Sequence, residues 1–140
     1  MDADVRWLLD RAQIRELTAR YNRCFDDGDP DGFAALFTED GVMEVAGTFS
    51  VSGREALAEM VRHTPYGVVH VTADATVEVD GDRAVQDVKL LVLARPGPDA
   101  AEGRSKLTNT GRYHDELVRT PDGWRFTHRT AVLDAGFGGS

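Results

Sequence analysis

The sequence predicts an α+β fold in which helices pack on one face of a curved, mostly antiparallel sheet. Apolar residues recur at helical spacing over residues 5–25, whereas residues 67–95 are rich in valine and two more strand-like stretches follow. Because the helical patterns come first and the long strands later, the elements do not alternate as in a parallel α/β sheet. We expect three N-terminal helices against the sheet, with any ligand site between these layers.

Chain length and charge restrict the domain number and the ligand class. The 140 residues, with a formal net charge of −8, most simply form one domain over residues 1–134, followed by a flexible tail at 135–140. Acidic residues are spread along the chain, so nucleic acid and anionic membranes would be repelled, and a small neutral or weakly polar ligand is favoured. No signal peptide or membrane-spanning apolar run is apparent, which predicts a cytoplasmic protein. A single cysteine allows no intrachain disulfide.

Two helices are expected at the start of the chain. The first covers residues 5–25, with arginines opposite its apolar face. That face comprises Ile14, Leu17, Tyr21, Cys24 and Phe25. Gly28 can take the left-handed conformation that ends a helix. Asp29 and Pro30 then suit an N-cap and the first helical position of a short helix that reaches Phe37.

A turn, a short strand and a third helix are expected next. Residues 38–41 have the composition of a turn, and residues 42–45 that of a strand. Ser52 and Glu55 have the spacing of a capping box, in which Ser52 is the N-cap of the following helix. The apolar face of this helix comprises Leu57, Met60 and Val61.

Residues 67–95 predict a central β-hairpin with an Asp-Gly-Asp turn. His70 lies within the apolar run of its first strand, and Lys89 lies deep in its second strand, where burial is costly without a partner. Residues 96–103 form a polar loop that is either a lid or simply solvated. Residues 107–118 and 124–133 predict the last two strands, joined by a hairpin turn.

Several of these stretches together resemble the SnoaL-like branch of the NTF2-like superfamily. The most specific are the Asp-Asp-Gly-Asp end of the first helix with residues 33–40, the turn at residues 78–82, and Gly-Trp-Arg at residues 123–125. The resemblance covers most of residues 12–134. It implies a cone of curved sheet closed by three helices, a deep apolar pocket and a homodimer.

Proteins of this superfamily include scytalone dehydratase, ketosteroid isomerase, polyketide cyclases, epoxide hydrolases and non-catalytic binding proteins, so the fold does not define the activity. Compared with ketosteroid isomerase, Tyr21 matches a tyrosine, but Val45 stands where the aspartate base is expected and Glu44 should point the other way. Compared with scytalone dehydratase, Asp26 and His70 match an aspartate and a histidine of the site. The second histidine falls at Lys89.

Asp26 and His70 are therefore the candidate proton-transfer pair, because a histidine exchanges protons near neutral pH and a carboxylate sets its tautomer. Tyr21 lies about 140° around the helix from Asp26 and could donate a hydrogen bond to a substrate oxygen. Each residue has a structural alternative: His70 as a bonded core histidine, Asp26 as a helix end, and Tyr21 as core. Lys89 either contacts substrate or extends to solvent from a strand.

Strand alternation predicts which face of the sheet carries each of the other polar residues. Asp74, four residues after His70, shares its face if the strand is uninterrupted, and is a candidate substrate contact. Tyr113 and Asp115 share one face of their strand, and Arg112 and His114 share the other; Tyr113 is a further substrate-contact candidate. Alternation along the last strand assigns His128 to the face of Trp124 and Phe126. No metal site, nucleophilic triad or phosphate-binding glycine loop is recognised.

These observations lead to two hypotheses. The first is a cofactor-independent acid/base enzyme acting on a small, apolar, cyclic or polyketide-like substrate, with dehydratase ahead of cyclase and isomerase. His70, Asp26 and Tyr21 would be its catalytic residues, and Lys89, Asp74 and Tyr113 would contact substrate. The second is a binding or assembly protein that uses the same fold without chemistry.

Overall fold

The computed structural model describes residues 1–97 and 103–134. Most of the predicted polar loop (residues 98–102) and the whole predicted tail (residues 135–140) lie outside the described residues. The elements in order are α1 Ala3–Asp26, α2 Pro30–Ala34, β1 Phe37–Val45, β2 Phe49–Ser52, α3 Arg54–Arg62, β3 Val68–Asp80, β4 Arg83–Ala94, β5 Lys106–Thr120 and β6 Gly123–Leu133.

The six strands form one curved mixed sheet in the order β2-β1-β6-β5-β4-β3. The strands β3 to β6 pair antiparallel with their sequence neighbours, as predicted, and β1 pairs parallel with β6. The helix α1 packs against β3 and β6, and α3 packs against α2 and β1. The predicted α+β fold is confirmed, and its core lies between the helices and the inner face of the sheet.

The ends of α1 and α2 follow the predicted local chemistry. The backbone at Gly28 has φ +71°, which a residue with a Cβ rarely adopts. The Asp29 carboxylate accepts a hydrogen bond from the Gly32 amide at 3.0 Å and caps α2, with Pro30 as its first residue. These contacts direct the chain back across the end of α1, where Asp26 is the last helical residue.

The prediction that α2 reaches Phe37 and that residues 38–41 form a turn is wrong. The helix ends at Ala34 and β1 begins at Phe37, because the Leu36 carbonyl accepts a hydrogen bond from the Phe126 amide of β6 at 2.9 Å. Pairing with a distant strand has overridden the local preference for a turn. A Cβ at Gly41 would lie 2.7 Å from the Phe37 Cβ, which explains the glycine at this irregularity of β1.

The predicted N-cap at Ser52 is also wrong. Ser52 ends β2, a strand that the sequence analysis missed, and Gly53 is the N-cap of α3 without a side-chain hydrogen bond. The Gly53 amide instead donates to the Gly41 carbonyl at 2.9 Å. The backbone of β1 thereby positions the start of α3.

Two β-bulges reverse which side chains face the core. In β3 the pairing with β4 shifts between Ala73 and Thr76, where Asp74 has φ +55°. In β6 the pairing with β5 shifts so that Thr127 is an extra residue between Phe126 and His128. Each extra residue moves the following side chains to the opposite face. The assumption of an uninterrupted β3 is therefore wrong, as is the placement of His128 on the face of Trp124 and Phe126.

Candidate active site

The carboxylate of Asp26 binds His70 twice. Asp26 Oδ1 lies 2.6 Å from His70 Nδ1, and Asp26 Oδ2 accepts a hydrogen bond from the His70 backbone amide at 2.9 Å. Asp26 ends α1 and His70 is the third residue of β3, so packing of these two elements brings together residues 44 positions apart in sequence. The side chain of Asp26 is 10% exposed and that of His70 is 9% exposed. With Nδ1 held by Asp26, Nε2 is the ring nitrogen that Asp26 leaves unengaged.

An apolar cavity of about 280 Å³ lies between the helices and the sheet, and His70 is part of its wall. Its apolar wall includes Met43, Val45, Phe49, Met60, Val92 and Leu133. Tyr21, Asn109 and Tyr113 bring polar groups to this surface. A mostly apolar cavity with a few convergent polar groups is typical of small-molecule sites.

Tyr21 and Tyr113 are two aromatic residues in the wall of this cavity. Both are buried, and their ring centroids are 5.5 Å apart in an edge-to-face arrangement. Burial raises the pKa of Tyr113 to about 12 and that of Tyr21 well above its ordinary value. Both phenols are therefore protonated at neutral pH. Tyr21 Oη is buried, and its interaction with the Tyr113 phenol further raises the pKa of Tyr21.

A fully buried arginine, Arg129, lies behind the two tyrosines. Its guanidinium carbon is 3.7 Å from the ring centroid of Tyr113 and 4.3 Å from that of Tyr21. The Asp115 carboxylate accepts hydrogen bonds from Nε at 2.9 Å and from Nη2 at 3.2 Å. Burial raises the pKa of Asp115, and the Arg129 charge and a hydrogen bond from Gln86 oppose that effect.

Sequence reasoning missed both Arg129 and Asn109. Alternation from Trp124 and Phe126 places Arg129 on the outer face, and only the bulge at Thr127 turns it inward. Asn109 is 7% exposed and lies on β5, where polar residues occur on both faces and alternation carries little information. A fully buried arginine is rare without a partner, but its partner Asp115 is 14 residues away and is not apparent from local pattern.

Lys89 and Asp74 lie outside the cavity, which corrects their assignment as substrate contacts. Their side chains are 74% and 73% exposed, and Lys89 Nζ lies 3.6 Å from Asp74 Oδ2. The neighbours of Lys89 on β4, Val88 and Leu90, are buried, so alternation directs Lys89 outward. The bulge in β3 separates Asp74 from the face of His70.

Val45 and Glu44 lie on opposite faces of β1, as the sequence predicts. Val45 is 5% exposed and lines the cavity. Its neighbour Glu44 turns away and lies 2.9 Å from His128 Nε2, on the outer face of the sheet. The carboxylate of Asp26 instead contacts a wall residue of this cavity, His70.

Neither a metal cluster nor a membrane helix is found within residues 1–97 and 103–134. No three of their histidine, cysteine, aspartate and glutamate side chains are grouped so that they could hold a metal ion. None of their helices is long and apolar enough to cross a membrane.

Comparison with known proteins gives both a family and a fold. A family model described as a SnoaL-like domain matches residues 6–130. Rv2910c, an uncharacterised protein of Mycobacterium tuberculosis, is 29% identical over 127 residues, which is 87% of this chain and 84% of that protein. An NTF2-like protein with a cystatin-like fold from Novosphingobium aromaticivorans superposes with a TM-score of 0.85 at 32% identity, covering 96% of this chain and 88% of its own.

The fold also matches a protein whose name states an activity. A type 2 hexachlorocyclohexane dehydrochlorinase (LinA) superposes with a TM-score of 0.80, covering 94% of this chain and 90% of its own. Sequence identity is 18%, so this likeness concerns the fold alone.

Proposed function

The chain belongs to the SnoaL-like domain family of the NTF2-like superfamily, and we propose that it is a cofactor-independent acid/base enzyme. Its substrate is a small, apolar, cyclic or polyketide-like molecule. The observation that carries the proposal is the Asp26–His70 pair in the wall of an apolar cavity. A general base in such a setting needs no cofactor to remove a proton beside a carbonyl.

Dehydration of a β-hydroxy ketone is the reaction that uses this pair most directly. His70 Nε2 takes a proton from the carbon beside the carbonyl, and Asp26 stabilises the imidazolium that forms. The electron pair of the C–H bond forms the C=C bond, and the C–O bond to the hydroxyl breaks. His70 returns its proton to the departing hydroxide, so water is released and the histidine is regenerated.

The phenols in the cavity wall can bind the carbonyl oxygen of the same substrate. Tyr21 is protonated and buried in the cavity wall, so its phenol can donate a hydrogen bond to a carbonyl oxygen as charge develops there. Tyr113 provides a second phenol beside it. The resemblance of Asp26 and His70 to the site residues of scytalone dehydratase supports loss of water, and LinA, a dehydrochlorinase, shares the fold.

Cyclisation and isomerisation rank below dehydration. Both also begin with proton removal beside a carbonyl and could use the same pair. With Val45 at the position of the isomerase base, no aspartate or glutamate among the described residues lines that wall to carry a proton between two carbons.

His70→Gln tests the function in a screen of cyclic β-hydroxy ketones, followed by absorbance of the conjugated enone. We expect turnover to be abolished with the fold retained. The matched control is His114→Gln, since His114 also contacts a carboxylate, Asp87 at 3.0 Å, but on the outer face. An unchanged rate in His70→Gln removes His70 from the mechanism. Binding without turnover across the screen instead indicates a non-catalytic binding protein.

A homodimer and a cytoplasmic location are proposed on the family resemblance and the sequence alone. Light scattering tests the first: a mass near the 15.3 kDa of one chain contradicts it. Cell fractionation tests the second.

A further inference from the structure

The largest fully buried side chain, Arg129, has no part in the proton transfer described above. It is 0% exposed and forms an ion pair with Asp115, which is also 0% exposed. Removing an arginine and a carboxylate from water costs several kcal/mol that their attraction only partly returns. A hydrophobic pair would fill this space at lower cost, so the position of the charge needs a reason.

A hydrogen-bond network fixes the orientation of this guanidinium. Gln86 Nε2 donates to Asp115 Oδ2 and to Thr18 Oγ1, each at 2.8 Å, and both Gln86 and Thr18 are buried. Asp115 engages Nε and Nη2 of Arg129, whereas the buried Nη1 has no partner within the described residues. Hydrogen bonds to Asp115 therefore hold the Arg129 guanidinium in place, while the guanidinium also packs on aromatic rings.

Two of those rings belong to Tyr21 and Tyr113 in the cavity wall, and the third belongs to Phe126. The guanidinium lies 3.7 Å from the Tyr113 centroid and 4.3 Å from the Tyr21 centroid, within the range of cation–π contacts. Its positive charge favours negative charge on the phenol oxygens and on any oxygen they bind. It accordingly opposes the effect of burial on the pKa of both tyrosines.

We propose that Arg129 is a positioning residue that makes Tyr21 and Tyr113 a binding surface for a negatively charged oxygen. The substrate class is then a carbonyl compound whose enolate oxygen contacts these phenols, rather than a haloalkane that eliminates without an oxyanion. This inference rests on the proposed function for its reaction. The preference of this surface for a negatively charged oxygen can be measured by ligand binding, without turnover.

The test uses 4-nitrophenol as an enolate-like probe and 4-nitrotoluene as an uncharged probe of similar shape. The variant is the pair Asp115→Asn with Arg129→Gln, because removing Arg129 alone would leave Asp115 buried without a counter-ion. Asp26 and His70 are retained in both proteins, so their charges cancel in the comparison. We expect affinity for the phenolate to fall about tenfold in the variant, as for loss of a charge-assisted contact, and affinity for 4-nitrotoluene to change less than twofold.

An absorbance measurement distinguishes an electrostatic role of Arg129 from a purely structural one. The absorbance of bound 4-nitrophenol gives its ionisation midpoint, which we expect to be about one pH unit higher on the double variant than on the wild type. Equal midpoints, or equal loss of both probes, would overturn the proposal. Arg119→Gln, which breaks a different ion pair far from the cavity, controls for lower stability and should leave the midpoint unchanged.

A second measurement needs no variant. In the wild-type protein the Arg129 guanidinium resonances should move when the phenolate binds and should not move with 4-nitrotoluene. Unmoved resonances with the phenolate bound would also overturn the proposal. If no substrate is ever turned over but both measurements succeed, the proposed function fails while the oxyanion-binding surface stands.

Discussion

At His70, the ring and the backbone amide of a single residue bind the two oxygens of one carboxylate. Because Asp26 Oδ2 is held by the amide, Asp26 Oδ1 has a fixed direction toward Nδ1. A carboxylate accepts but does not donate, so Nδ1 carries the proton and Nε2 is the basic nitrogen. The backbone contact thus contributes to the choice of tautomer.

This geometry predicts an unusual effect of Asp26→Asn. The His70 amide needs an acceptor and retains the asparagine oxygen, which turns the asparagine NH2 toward Nδ1. Nδ1 then becomes an acceptor and Nε2 is protonated, which is the wrong form for a base. We expect turnover to fall about a hundredfold or more, with the fold retained.

Nitrogen NMR of His70 above neutral pH checks this tautomer change. The control is Asp87→Asn, which alters the partner of His114 on the outer face and should leave both turnover and the His70 spectrum unchanged. An Asp26→Asn protein that retains the Nδ1–H form would show that Asp26 does not set the tautomer.

At the scale of elements, the spacing of apolar residues predicted the central strands well. It failed to predict which side chains face the core where a bulge interrupts the alternation along a strand. Caps and hairpin turns at Asp29 and Gly81 depend on adjacent residues and could be recognised locally. The bulge at Thr127 depends on how β5 and β6 register with each other, which no local pattern reveals. The sequence therefore yielded Asp26, His70 and Tyr21 but not Arg129, whose inward direction depends on that bulge.

A second ion pair joins elements at a distance from the cavity. Arg119 of β5 donates to both carboxylate oxygens of Asp10 of α1, at 2.6 and 2.9 Å. Trp124 Nε1 donates to the same carboxylate at 3.2 Å, and the Arg119 guanidinium lies over the Trp124 ring. These contacts attach the first half of α1 to the β5–β6 hairpin.

The attachment predicts a pH dependence of stability. Hydrogen bonds from Arg119 lower the pKa of Asp10, so the folded protein holds its carboxylate ionised more strongly than the unfolded chain does. Its contribution is complete above the pKa of an unfolded aspartate and is lost as the pH falls through the lower folded value. We expect Asp10→Asn to reduce the free energy of unfolding by about 2 kcal/mol at pH 7 and by progressively less below about pH 4.

Urea unfolding across this pH range measures the effect. Asp82→Asn is the matched control, because Asp82 also binds Arg119, at 3.1 Å, but is 80% exposed. An exposed pair contributes little, so this change should stay within about 0.5 kcal/mol. A pH-independent difference between wild type and Asp10→Asn would contradict the linkage.

At the scale of the whole molecule, the sheet and helices enclose a cavity of about 280 Å³ beside a packed hydrophobic core. An engineered apolar cavity of about 150 Å³ accepts benzene, so this volume suits a molecule of one or two rings. Unfilled apolar space reduces stability relative to close packing. Such a cost is tolerated where binding requires the space.

A larger side chain in the cavity should therefore weaken ligand binding without lowering the free energy of unfolding. Ala131 is 3% exposed and lines the cavity, so Ala131→Leu adds three carbons where space exists. Ile14→Phe adds the same number at a fully buried position outside the cavity. We expect Ala131→Leu to weaken binding of 2-naphthol at least about tenfold while changing the free energy of unfolding by less than about 1 kcal/mol. Ile14→Phe should lower stability by about 1–3 kcal/mol, because overpacking forces neighbouring side chains to move.

Calorimetric titration and urea unfolding of the two variants decide the point. If Ala131→Leu binds 2-naphthol as wild type does, the ligand lies elsewhere on the molecule. If it is destabilised as much as Ile14→Phe, the space is not available to a ligand of this size. Loss of binding at undiminished stability means that the open space between the layers serves the ligand rather than the fold.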